Sequence, residues 1–201
     1  MKTLKQHINE ALKIGNNLSE WSSYSCQPKT RDELKKIIKD RISKEGPNCD
    51  LNDIDVSQII NMCDLFYNSD FTGDISKWDV SNVENAGSMF LLSKFNGDIS
   101  NWNTRKMRNF YSMFEMSEFN GDISRWDLRS AVNMGYMFQN SKFNQPLKDW
   151  DVSNVNNMRG MFSCSQFNQD ISRWKIKDGC NTTNMFEDCP IRKDFRPVLS
   201  K

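Results

Sequence analysis

A single histidine, only three alanines and no Cys-x-x-Cys pair in 201 residues remove several chemistries at once. His7 alone supplies no imidazole set for general acid–base catalysis or metal binding. The cysteines Cys26, Cys49, Cys63, Cys164, Cys180 and Cys189 lack zinc-ligand spacing. With no secretion signal they are expected to be reduced thiols, mostly small buried residues. No apolar run approaches the ~18 residues that a membrane span needs, so none is expected. The segment Met1 to Glu10 is charged every few residues and has no apolar signal core, so a cytoplasmic or virion-associated location is expected. The net charge of +1 comes from 27 Lys+Arg against 26 Asp+Glu, a balance that argues against bulk attraction to nucleic acid or anionic membrane.

Against these shortages stand 13 Phe, 11 Met and 6 Trp in a chain of mean hydropathy −0.71. A disordered chain would lack such bulky residues, so this one is expected to fold. Their arrangement explains the excess. Trp78, Trp102, Trp126, Trp150 and Trp174 are each 24 residues apart. The same step carries Phe66, Phe90, Phe114, Phe138, Phe162 and Phe186, and a second column of Phe71, Phe95, Phe119, Phe143 and Phe167. Six copies run from 47 to 190 without insertion, the first degenerate, and Ile191, Asp194, Phe195 and Val198 match the start of a seventh. A unit this short cannot bury its own apolar face, so neighbours must stack and share a core.

Within each copy Trp-Asp-Val alternates in, out, in, as a short strand requires. Asn-Met-Arg-Gly-Met-Phe (157–162) spaces its apolar residues by three and four, which predicts one or two helical or 3-10 turns. The expected fold is therefore an α/β repeat solenoid: leucine-rich-repeat-like coils with short parallel strands, short helical or 3-10 turns and an N-terminal helical cap. Asn61, Asn85, Asn109, Asn133, Asn157 and Asn181 hold one column in all six copies, and an internal amide ladder is the favoured reading over a polar binding strip.

The unit Phe143 to Phe162 resembles the BspA-type leucine-rich-repeat proteins of bacteria, in the branch that reads Phe-Asn-x-x-Ile-Ser-x-Trp-Asp-Val-Ser-Asn-Val-x-Asn-Met-x-x-Met-Phe. The resemblance covers about 47–198. It implies a repeat fold and no single function, because such repeats are reused in surface, adhesive and host-contact proteins.

Residues 1–46 carry no trace of the repeat and are expected to form a helical cap or docking segment, with 191–201 closing the other end. Leu4, Ile8, Leu12 and Leu18 trace one face of a first helix. Thr30-Arg31-Asp32-Glu33 is a capping box for a second, with Leu34, Ile37, Ile38 and Ile42 apolar and Gly46-Pro47 ending it. Met1 to Ala11 also resembles short N-terminal helices on proteins of large tailed phages, which offers the alternative of a structural or virion-associated protein. A bacterial surface adhesin is a third alternative.

Charge is uneven: +4 over 1–46, −6 over 47–190 and +3 over 191–201. The outward residues of successive Trp-Asp-Val segments form a polar strip, acidic at one end and basic at the other. Its candidate partner-binding residues are Asp79, Asn103, Arg105, Arg125, Asp127, Arg129, Asp151, Arg173 and Lys175. No nucleophile elbow, phosphate loop or metal signature appears, and an open strip lacks an enclosed pocket. The expectation is a non-enzymatic interaction module without cofactor or metal, whose partner is another protein, with a glycan or a virion component as alternatives.

Overall fold

The computed structural model describes residues 24–199. The first predicted helix, with Leu4, Ile8, Leu12 and Leu18, and the phage-like segment lie outside them. The second helix is present as α1 (Arg31–Glu45). Thr30 Oγ1 accepts from the Glu33 N–H at 3.2 Å, and the Glu33 carboxylate accepts from the Lys29 N–H at 2.8 Å. The helix stops at Gly46, whose φ of 92° is open to glycine and whose N–H donates to the Ile42 carbonyl. Leu34 and Ile38 are buried in the same cluster as Leu51, Ile54 and Phe66 of the first coil. Arg41 fixes the helix in place through Asp53 at 3.0–3.1 Å and the Asp50 carbonyl at 2.9 Å.

The α/β repeat solenoid with short parallel strands is not what forms. Among the described residues α1 is the one α-helix, Lys193–Phe195 is a single 3-10 turn, and no strand or sheet exists. Parallel pairing survives only as isolated bridges, chiefly Asn61 to Asn85 and its equivalents at each later junction. The reason lies in the turns. Around the second Trp-Asp-Val, the Trp78 N–H bonds back to the Ile75 carbonyl and the Val83 N–H to the Val80 carbonyl. These two turns leave Asp79 alone between them, too little chain for a strand. The predicted alternation holds all the same: Trp78 and Val80 are buried and Asp79 is exposed.

The segment read as helical is a ribbon of overlapping turns. In the second coil the N–H groups of Met89, Leu91 and Ser93 donate to the carbonyls of Ala86, Ser88 and Phe90. Ser88 and Leu92 take left-handed φ values of 53° and 58°. The alternate N–H groups of Ala86, Ser88, Phe90 and Leu92 point sideways and donate to Asn109, Tyr111, Met113 and Glu115 of the next coil at 2.8–3.0 Å. A helix would send those donors back to its own chain. The four bonds recur at all five junctions between coils, always from the earlier coil to the later one.

Side chains complete the stack. Phe66, Phe90, Phe114, Phe138, Phe162 and Phe186 lie ring on ring at 5.4–6.0 Å, within 9° of parallel. The second Phe column repeats this at 5.9–6.3 Å. Each repeat Trp is buried with its indole N–H donating to a carbonyl of the preceding coil, as Trp126 does to Ile99 at 3.0 Å. The Asn column closes turns, as each side-chain carbonyl accepts the N–H two residues on. Asn85, Asn109, Asn133 and Asn157 are half-buried and Asn61 and Asn181 exposed, so the internal amide ladder is reduced to two bonds, from Asn109 to Asn85 and from Asn157 to Asn133. At the C-terminal end Ile191 is buried and Phe195 packs on the core, but Val198 is 87 % exposed and does not take the Trp position. The cysteines are unbridged, and only Cys49 is buried; Cys164 faces solvent on a left-handed turn.

Candidate functional site

The outward strip is built by side-chain turns. Oδ1 of Asp79, Asn103, Asp127 and Asp151 accepts the backbone N–H two residues on, from Ser81, Arg105, Arg129 and Ser153, at 3.0–3.3 Å. A short acceptor at this position is what closes the turn after the buried Trp, so the column is structural before it is anything else. These contacts also hold carboxylates in the charged form. The Arg129 guanidinium pulls Asp127 below the ordinary carboxylate range, and the Ser153 hydroxyl does the same for Asp151.

The predicted strip residues divide into tied and free. Arg129 grips Asp127 through Nε at 2.9 Å and Nη2 at 2.6 Å, so these two largely neutralise one another. Arg105, Arg125, Arg173 and Lys175 are exposed and make no ion pair among the described residues. Elsewhere on the repeat, Lys94 and Lys142 are tied across coils to Asp70 and Glu118. The structure does not gather the predicted residues into one pocket: Asp79 belongs to the second coil, Asn103 and Arg105 to the third, and Arg125, Asp127 and Arg129 to the fourth.

Three of them do meet. Asp151, Arg173 and Lys175 line an open depression of about 400 Å³ beside Trp150, together with Lys148, Asp149 and Ser153. Lys148 escaped the sequence reading. Its signal was there, because the equivalent residues in the neighbouring copies are Ser76, Ser100, Ser124 and Ser172. Pro146, two residues earlier, likewise stands where Asp74, Asp98, Asp122 and Asp170 close a turn. Lys148 and Arg173 both face Asp170, whose carboxyl is held below its usual range first by the Ser172 hydroxyl and lastly by these two cations.

Among the described residues no group of three or more His, Cys, Asp or Glu is placed to hold a metal ion. No helix there is long and apolar enough to cross a membrane. Residues 33–142 and 115–196 match the family model described as "Mycoplasma protein of unknown function, DUF285". No curated protein and no solved structure matches the chain.

Proposed function

We propose that this chain, which belongs to the DUF285 family, is a non-enzymatic interaction module that receives another protein along the outward strip. The observation that carries the reading is the contrast between tied and free cations: Arg129, Lys94 and Lys142 are ion-paired, whereas Arg105, Arg125, Arg173 and Lys175 make no ion pair among the described residues. Free charges on a rigid scaffold steer an acidic partner and fix its register, and little backbone entropy is lost on docking. The turn-forming Asp column supplies the frame on which those cations stand. The resemblance of Phe143 to Phe162 to the BspA-type branch supports the same reading, since repeats of that branch serve host contact in many settings.

Replacing Arg105, Arg173 and Lys175 together by Glu tests it. The reading expects the variant to keep the wild-type melting curve and to lose the partner that the wild-type protein captures from an extract of its source cells. Unchanged capture by the variant would overturn the strip as the docking surface.

A further inference from the structure

The turn ribbon carries a second feature, on the part of the coil that the strip does not use. At its left-handed position stand Asp64, Ser88, Ser112, Tyr136, Gly160 and Asn184, with φ values of 53–59°. Small or polar residues suit that conformation; a tyrosine there costs ~1–2 kcal/mol. Strain of this kind persists where the surroundings enforce it, and it concentrates at ligand sites. One position earlier, among Cys63, Gly87, Gly135, Arg159 and Thr183, stands Tyr111.

The two rings meet edge to face with centroids 5.6 Å apart and planes at 85°. Each lies against a glycine of the next coil. A Cβ on Gly160 would fall 2.6 Å from Cδ1 and Cε1 of Tyr136, and one on Gly135 would fall 3.3 Å from Cδ2 of Tyr111 and 2.7 Å from Nδ2 of Asn157. Tyr136 with Gly160 is thus a paired departure one coil apart, a ring placed and the room for it cleared, whereas Gly135, like Gly87, chiefly makes room for the asparagine of the next coil. Arg159 stands with Cζ 5.9 Å from the Tyr136 centroid. Tyr111 is 39 % exposed, and neither tyrosine hydroxyl nor the Arg159 guanidinium makes a hydrogen bond or ion pair among the described residues.

We propose that this ledge binds a pyranose ring of a neutral oligosaccharide. The C–H face of a sugar packs on an aromatic ring, and the perpendicular second ring gives it a wall. Sugar hydroxyls both donate and accept, which matches two tyrosine hydroxyls and the guanidinium donors of Arg159. A proline-rich peptide has no use for that many donors, and an anionic ligand calls for more than one cation.

The test titrates the full chain with six-ring oligosaccharides of glucose, mannose and N-acetylglucosamine, followed by calorimetry and by NMR of the tyrosine ring protons. The expected result is saturable binding of at least one of them, with shifts at Tyr111 and Tyr136. Tyr136→Gly should weaken that binding at least tenfold while the melting temperature holds or rises, because glycine relieves the left-handed backbone. The proposal is overturned if none of the three shifts those rings, if Tyr136→Gly binds as the wild type does, or if decaproline shifts them and the sugars do not.

Discussion

Successive coils are joined in two different ways along their length. On the ribbon half the backbone does the joining, with four N–H groups of each coil donating to the next. On the Trp half the backbone mainly closes turns within its own coil, with cross-coil backbone bonds at the end junctions, as Leu51 to Asp74 and Ile171 to Phe195. Side chains do most of the reaching across: a Trp indole to a carbonyl, and an Asn carbonyl to the N–H of the following coil, as Asn120 to Asn144. The difference accounts for which positions vary. Where backbone joins backbone, exposed side chains change freely, so one left-handed position reads Asn68, Leu92, Met116, Asn140, Cys164 and Asp188. Where side chains do the joining, Trp recurs unchanged, and freedom is left to the outward residues that form the strip.

Breaking the ribbon should have the largest effect. Ser112 is buried, has φ 53° and donates to the Gly135 carbonyl at 2.9 Å. Ser112→Pro removes that donor and demands a negative φ, so denaturant unfolding should show a loss of ~3 kcal/mol or more. On the other half, Trp126→Phe removes the cross-coil donor to the Ile99 carbonyl, which keeps only the Trp102 N–H of its own coil, and opens a void; it should cost about 2 kcal/mol in the same experiment. A Trp126→Phe loss larger than that of Ser112→Pro would reverse the assignment of backbone and side-chain joints. Met116 is 48 % exposed at φ 52°, so Met116→Gly gives up little packing and relieves strain. It should stabilise by up to about 1 kcal/mol, the left-handed penalty less the added freedom of glycine in the unfolded chain.

Acid separates the halves more gently. Asp74, Asp98 and Asp122 are held below the normal carboxylate range chiefly by the serine N–H two residues on, and Asp127 and Asp151 by Arg129 and Ser153. All five lie outside the ribbon. Because their folded values are depressed, their contribution is complete above the unfolded carboxylate value and fades as pH falls through the folded ones, which places the loss below about pH 4. Amide exchange measured down a pH series should therefore loosen the Trp half first, and simultaneous loosening of both halves would argue against this division.

Much of the core was legible in the chain. The constant 24-residue step identified the Phe and Trp columns, and Thr30, Glu33 and Gly46 marked both ends of α1 correctly. The ribbon was not legible, for a physical reason. Met158, Met161 and Phe162 have a spacing that suits a helix and a chain of turns equally well. The choice is made by donors that leave for the neighbouring coil, and Leu92, Met116 and Tyr136 give no glycine-like hint of a left-handed backbone. The strand was misread because in-out-in alternation needs only three residues, which two abutting turns also provide. At the site, the capture of Arg129 by Asp127 was not legible, and Lys148 was visible only as a break in a serine column.

The run of four forward donors at each junction is the central claim, and residue-resolved hydrogen exchange tests it most directly. Gly160 and Cys164 donate to Thr183 and Glu187, while their equivalents one coil later, Asn184 and Asp188, find no acceptor among the described residues. The account predicts strong protection at Gly160 and Cys164 and rapid exchange at Asn184 and Asp188. Equal protection at the two pairs would contradict it.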